Sequence, residues 1–598
     1  MFIQYRQVIY SNKYIQYEFY KDQTQQTITQ IQIKFDDFSE GKYEQVGLLW
    51  DYYWNRYFQV QYYITRTKKK LIKYSTNDEI NLRVDTLKNF AYSWNNLEQI
   101  KYLQWFEIQK SKIHQLDRLI LIWKGKMLED TGGQYSNGLK QGYWKEPIEN
   151  YWTLSQAYQI GLYQDGKRFG IWINVYEDQV IGGGTYDDKH NKNGKWIELS
   201  ENFSSNSYIT YNGEYKNNKK IDKLEINYRF SSIYQFEWIG GGSYNQEGIK
   251  NCFWIDLIEN FYRQVIFKGD YQNNKKIGKW GTYYRTEGIF SCDFQLIGGG
   301  SYDKTGIKVG QWIELSNYFY NYSQVTYEGQ YQNGKKINQW VTKYKQKDQV
   351  QFIYGGEYDN ENMKKGFWID LSDDFRQFQN YDIINRDSQI VYQGMYHNGR
   401  KIGKWDINFR EFNTFQQIGV TYYDEQGNKT GLQQETSSSF FNLSQIVYRG
   451  EYYQGHKNGK WKSFWNNKLK VEQLGCGLYG ENGLKNGIWI ELSNDFNEDK
   501  QVIYKGEYNC GQKVGLWETN FRFSQNFEEI GCGCYDDDGI QNGLWIELDE
   551  DFSNSKQIIH RGEYKNGRKV EKWLEFKRDK LKIQEGFKNT GETIYYQN

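Results

Sequence analysis

Tryptophan returns in this chain at a nearly fixed interval. Trp254 follows Trp196 by 58 residues, Trp312 follows Trp254 by 58, Trp368 follows Trp312 by 56, and Trp545 follows Trp489 by 56. A second series, Trp405, Trp461, Trp517 and Trp573, is spaced by 56 throughout. A period of this length means one supersecondary motif copied along the chain, each copy burying its apolar face only against its neighbours. The usual expectation of several unrelated compact domains in 598 residues then does not apply.

Two segments alternate within each period. The first, type A, reads "IGGGTYDDKHNKNGKWIELS" from Ile181, "IGGGSYNQEGIKNCFWIDL" from Ile239 and "IGGGSYDKTGIKVGQWIELS" from Ile297. Weaker copies start at Gly355, Gly475 and Gly531. The second, type B, reads "QVIFKGDYQNNKKIGKW" from Gln264, "QVTYEGQYQNGKKINQW" from Gln324 and "QVIYKGEYNCGQKVGLW" from Gln501, with further copies at Gln389, Gln445 and Gln557. Eight such A–B blocks fit between Gly132 and Glu585, the first holding Trp144 and Trp172. Trp280 and Trp340 complete the type B tryptophans. Leu224 and Gln433 stand where the pattern calls for Trp, and the fifth block carries an insertion near Arg376–Arg386.

Each segment reads as a hairpin. In "QVIYKGEY", Val502, Tyr504, Gly506 and Tyr508 alternate with Ile503, Lys505 and Glu507, the two-residue period of a strand. Asn-Gly follows in several copies, at Asn137-Gly138, Asn333-Gly334, Asn398-Gly399 and Asn566-Gly567, with Asn217-Asn218 and Asn273-Asn274 elsewhere. These pairs tolerate the positive φ of a tight hairpin turn. Glycines inside a strand weaken it unless something large must come close. Tyr and Trp rings of neighbouring hairpins are the expected occupants. A thin aromatic core of that kind reconciles 19% aromatic residues with a mean hydropathy of −0.91. A single proline, Pro147, suits near-continuous strand pairing. The expected fold is all-β: an elongated array of antiparallel hairpins in a continuous twisted sheet or open solenoid. At about 4.8 Å per strand its length would be of order 150 Å.

The type B copies carry a recognisable pattern. Tyr504, Gly506, Tyr508, Gly511 and Gly515 match the spacing of a MORN repeat, with Trp517 where the last Gly would stand. Tyr327, Gly329, Tyr331 and Gly334 match through the turn, after which Asn338 replaces a Gly. The chain therefore resembles the MORN and MORN-variant repeat proteins, including antitoxin-type arrays and the expanded MORN-like proteins of protists, over residues 132–585. The resemblance implies an elongated antiparallel β scaffold, with protein-interaction or membrane-apposed roles. Type A departs from the consensus through its Gly triplet and its Trp-Ile-[Glu/Asp]-Leu ending. Residues 1–131 are expected to form an N-terminal region, either a cap shielding the first hairpin edge or a separate functional domain, with decayed repeats around Trp105 and Trp123. Residues 586–598 are expected to be a tail.

Several function classes are disfavoured. The longest apolar run, Leu119–Trp123, is too short to span a membrane. The N-terminus lacks the apolar segment and small-residue cleavage site of a secretory signal. Six cysteines are too few for a disulfide scaffold, so a cytoplasmic location is expected, with a cortical or cytoskeletal association as a variant of it. A net charge of +1 gives no reason to expect nucleic acid.

"GGGSYDKTGIKVG", from Gly298, invites a phosphate-binding reading. It lacks the Lys-Ser/Thr ending and the following helix that such a loop requires, and it recurs block after block. The acids after the type A Trp are Glu198, Asp256, Glu314, Asp370, Glu491 and Glu547. A catalytic pair needs two carboxylates in unlike surroundings; a ladder of equivalent acids is expected to line one exposed edge instead. Cys532-Gly-Cys534 could suggest a metal, but Cys476 and Cys532 read as small-residue substitutions in the middle of the Gly triplet and the histidines do not cluster, so neither metal nor cofactor is expected. The type B turns are basic: Lys275 and Lys276, Lys335 and Lys336, Arg400 and Lys401, Arg568 and Lys569. These read either as ordinary solvated turns or as a ladder docking an acidic filament or anionic lipid face by many weak contacts. The expected function is a non-enzymatic scaffold for a protein partner. The alternative is a peripheral module apposed to an anionic membrane or cytoskeletal surface.

Overall fold

The Asn-Gly dipeptides set the turns. Asn333 and Gly334 take φ of 50° and 75°, Asn398 and Gly399 48° and 74°, and Asn566 and Gly567 51° and 74°. Positive φ at both central positions is the type I′ turn, whose twist matches that of the flanking strands. Asn217-Asn218 and Asn273-Asn274 adopt the same conformation. Asn137-Gly138 and the insertion at 376–386 fall outside the described residues. The computed structural model describes residues 42–51, 56–66, 71–76, 81–86, 96–108, 117–136, 139–205, 207–230, 234–258, 264–285, 293–317, 319–320, 323–346, 349–372, 375, 388–411, 414–437, 440–467 and 470–595.

The chain divides into two compact units. One comprises residues 1–250, 564–572 and 593–598; the other comprises 251–563 and 573–592. The first unit opens with an antiparallel four-stranded sheet, Lys42–Asp51, Arg56–Arg66, Leu71–Thr76 and Asn81–Thr86, paired in chain order. Tyr62, Ile64, Ile72 and Tyr74 pack there against Leu97 and Ile100. Those last two residues lie on the short helix Leu97–Tyr102, whose cap is Asn96, with its Oδ1 accepting from Glu98 N at 2.8 Å. Hairpin strands follow from Leu103–Ile108 to Glu237–Tyr244. The expected boundary at Gly132 falls inside the strand Lys126–Ser136. In the second unit, every strand from Lys250–Leu257 to Gln541–Leu548 pairs antiparallel with the next in sequence. The array of antiparallel hairpins is thus the fold.

The strand glycines are there for the tryptophans. A Cβ built on Gly300 would meet the indole of Trp312 at 2.2 Å, one on Gly329 would meet Trp340 at 2.3 Å, and one on Gly506 would meet Trp517 at 2.3 Å. The same contact recurs at Gly133, Gly161, Gly184, Gly269, Gly356, Gly394, Gly450, Gly477, Gly533 and Gly562. The rest of the triplet has other work. Gly299 has φ of 125°, and a Cβ there would lie 2.1 Å from the Trp280 carbonyl; one on Gly298 would lie 2.7 Å from the Ile313 carbonyl. The ladder register shifts at this point, so the triplet is a β-bulge in close approach to both neighbouring strands.

Between the tryptophans stand tyrosines. In the second unit Trp254, Tyr271, Trp280, Tyr302, Trp312, Tyr331, Trp340, Tyr358 and Trp368 alternate edge to face, with centroids 5.0–6.4 Å apart. Where Trp is missing, the structure compensates. Gln433 Nε2 donates to the Thr430 and Tyr422 carbonyls at 2.7 and 3.0 Å, the contacts that Trp368 Nε1 makes with Lys365 and Glu357. Thr421 occupies the place of the glycine that would otherwise lie under that indole.

A second buried row, which keeps the 56-residue spacing from Phe319 to Phe375 and from Phe440 to Phe496 and Phe552, comes from the loops after the type A strands. Phe319, Phe375, Phe440, Phe496 and Phe552 are buried. Ser323 Oγ donates to the Phe375 carbonyl at 2.6 Å, Ser388 Oγ to Phe440 at 2.9 Å and Ser444 Oγ to Phe496 at 2.5 Å, joining one block to the next.

Candidate functional site

The charged groups of the repeat converge in one arrangement. Lys308 and Glu314 share the strand Lys308–Leu315, six residues apart and so on one face. Lys308 Nζ lies 2.5 Å from one oxygen of Glu314, and Lys336 Nζ, from the type B strand Lys335–Gln346, lies 2.9 Å from the other. Tyr331 Oη donates to the same carboxylate at 2.9 Å. The two ammonium groups also sit over rings: Lys308 lies 4.4 Å from the centroid of Trp312, and Lys336 lies 4.1 Å from that of Trp340. Burial disfavours a charged Glu314, but Lys336 and Lys308 outweigh it and bring its pKa down to about 2.

The arrangement repeats. Glu198 takes Lys192 at 2.5 Å, Lys220 at 3.2 Å and Tyr215 at 2.6 Å, and its pKa also falls to about 2: burial opposes, and Lys220 and Lys192 prevail. Glu491 takes Lys485, Lys513 and Tyr508. Asp370 takes Lys364 at 2.6 Å and Tyr396 at 2.8 Å, and Asp256 takes Tyr271 at 2.7 Å and Lys276 at 3.8 Å. Glu146 and Glu435 belong to the same series although the sequence pattern did not single them out. The expectation that these acids line an exposed edge is corrected here: Glu198, Asp256, Glu314, Asp370 and Glu491 are largely enclosed and internally paired. The deciding partner comes from the next hairpin, where single-segment reading does not look.

The basic ladder is split by the same geometry. Lys276, Lys336 and Lys401 turn inward, each 4.1 Å from the centroid of its own Trp, at Trp280, Trp340 and Trp405. Lys275, Lys335 and Arg400 are exposed, and Lys335 reaches Glu361 at 2.5 Å. Arg568 is half-buried and donates from Nε to the Val84 carbonyl at 2.9 Å, while Lys569 lies 5.6 Å from the Tyr595 ring. The "GGGSYDKTG" loop is closed on itself. Asp303 Oδ1 accepts from Thr305 N at 2.8 Å, Thr305 Oγ1 at 2.7 Å and Ile307 N at 3.0 Å. The amides that would cradle a phosphate already serve this carboxylate.

The outward row mixes charged residues, such as Lys195, Lys279, Lys404 and Lys460, with large apolar ones. The residue before the ladder Trp points away from it. Tyr143, Ile171, Phe253, Phe367, Leu432, Ile488, Leu516 and Leu544 at that position are all exposed, Leu432 by 73%. In the second unit Val350, Phe352, Tyr354, Phe367 and Met395 extend this over three strands. Tyr354 stacks on Phe367 with centroids 6.4 Å apart, and Phe367 stands opposite Met395 in the register.

No family model matches the chain, and no curated protein matches it. Among solved structures, a mutant NanB sialidase from Streptococcus pneumoniae is similar at 10% identity and a TM-score of 0.20, over 88% of this chain and 90% of that one. A score that low carries no inference about fold or function.

Proposed function

We propose that this chain is a MORN-like repeat scaffold, without catalytic activity, that binds a protein partner in the cytoplasm through the outward face of its hairpins. The observation that supports this reading is the exposed apolar series before the ladder tryptophans, widest at Phe352, Tyr354, Phe367 and Met395. Contiguous exposed apolar side chains rimmed by charge are the signature of protein-binding surfaces. Here the rim includes Lys365 and Glu357, paired at 3.5 Å. The test is proximity labelling in cells with the native chain and with Phe352→Ser/Phe367→Ser, followed by reconstitution with the purified partner. A partner lost in the variant is the expected result; identical labelling and affinity would overturn the reading. Docking of a basic ladder on an anionic membrane is the weaker alternative, since its inner members already pair within the fold. Co-sedimentation with phosphatidylserine vesicles that Lys275→Glu/Lys335→Glu/Arg400→Glu abolishes would favour it.

A further inference from the structure

One guanidinium departs from the pattern of its repeats. Arg285, Arg522 and Arg578 each donate from Nε to a glutamine 21 residues earlier, namely Gln264 at 3.0 Å, Gln501 at 2.6 Å and Gln557 at 2.6 Å. Two of them also hold a carboxylate 50 residues earlier: Arg522 pairs with Glu472 at 2.9 Å and Arg578 with Glu528 at 2.5 Å. At Arg229 both partners are changed. Tyr208 stands in the glutamine position and lies against the guanidinium at 4.7 Å, with Phe236 against it at 4.8 Å. Gln179 stands in the glutamate position. Arg229 is only 8% exposed, its Nε has no hydrogen-bond partner, and no carboxylate pairs with it among the described residues.

Arg229 also lines an open groove of about 510 Å³ in the first unit. Its other walls include Ile171, Val180, Ile197, Phe236 and the backbone of Gly182–Gly184. Ile171 and Val180 are exposed there. A buried guanidinium without an anion is costly even when it lies on rings, as Arg229 does on Tyr208 and Phe236, and a carboxylate is its best planar partner. The groove thus offers an open, partly apolar surface with one cation at its wall.

We propose that this groove binds a carboxylate carried on an apolar body, the ligand carboxylate taking the place that Glu472 and Glu528 hold beside Arg522 and Arg578. The site does not depend on the scaffold reading, although its wall residue Ile171 is one member of the exposed apolar series. Two sources share the chemistry: a free amphipathic acid, and an acidic side chain in an apolar peptide. The probes are octanoate against octanamide, and acetyl-Leu-Glu-Leu-amide against its Gln counterpart, titrated into the full chain by calorimetry with saturation-transfer NMR for weak binding. At least one carboxylate probe is expected to bind at least tenfold more tightly than its neutral counterpart, and which one does so identifies the source. Gln179→Glu, at an exposed position, supplies an internal carboxylate and is expected to weaken that binding at least tenfold while leaving the circular dichroism spectrum unchanged. Arg229→Met is expected to equalise the charged and neutral probes. Absence of binding by both carboxylates, equal binding of neutral probes to the native chain, or undiminished binding to Gln179→Glu would each overturn the proposal.

Discussion

The indole of Trp312 lies on Gly300, so close that a Cβ on that glycine would stand 2.2 Å from the ring. Ten residues on, Gly310 has nothing within 4 Å of its would-be Cβ, but it has φ of 71°. One glycine is required for space and the other for conformation.

The two requirements separate experimentally. Gly300→Ala must displace a buried ring, which costs about 1–3 kcal/mol as overpacking does. Gly310→Ala pays only the left-handed backbone, about 1 kcal/mol. Amide hydrogen exchange of the strands 308–315 and 324–332 is the measurement, because local opening in a repeat array need not track global unfolding. Equal losses at the two sites would contradict this division.

Gln433 and Thr421 show the reverse logic. Gln433→Trp alone should destabilise, because Thr421 offers a side chain where the other blocks offer glycine. Adding Thr421→Gly should restore much of the loss, giving a favourable coupling of about 1–2 kcal/mol in a double-mutant cycle. Additive effects would mean that the indole and the glycine are not one unit.

Much of this was legible in the sequence. Asn333-Gly334 announced its turn, and the alternation of Tyr504, Gly506 and Tyr508 announced its strand, because both signals are local. The strand glycines announce a ring above them but not whose: Gly300 and Gly506 lie under Trp312 and Trp517 of their own hairpins, not of the neighbouring hairpins that the sequence suggests. The enclosure of Glu314 was not legible: Lys336 comes from the next hairpin, and the type A segment shows only an acid after Trp312. Arg229 is harder still, since its meaning lies in what Tyr208 and Gln179 replace. The sheet at 42–86 has no second copy against which to be read.

The depressed carboxylates make stability depend on acid. Glu314 and Glu198 titrate at about 2 in the folded chain, below the ordinary 4.5. A folded-state pKa below the unfolded one contributes stability that is present above pH 4.5 and is lost as pH falls toward 2. The native chain should therefore loosen progressively across that window. Glu314→Gln should be less stable at neutral pH by about 1–3 kcal/mol, since Lys308 and Lys336 lose their anion. Its deficit relative to the native chain should shrink as the pH is lowered through the window. Thermal melts at pH 7, 4 and 2.5 check both; a pH-independent deficit would show that the carboxylate charge is not what matters.

Lys335 and Lys336 are adjacent in sequence but do different things, and charge reversal tells them apart. Lys336→Glu places a second carboxylate beside Glu314, with which Lys336 now pairs at 2.9 Å, and removes a cation from the face of Trp340. Two carboxylates sharing so enclosed a site repel, and one must take up a proton or move. A loss of about 2–4 kcal/mol is expected, partly recovered by Glu314→Gln in the same chain. Lys335 is exposed, and its pair with Glu361 is a surface contact, so Lys335→Glu should change stability by no more than about 0.5–1 kcal/mol. Denaturant melts of both variants decide the matter. If Lys336→Glu were as mild as Lys335→Glu, both lysines would count as free surface charge, and the membrane-docking ladder would regain the inner half of its residues.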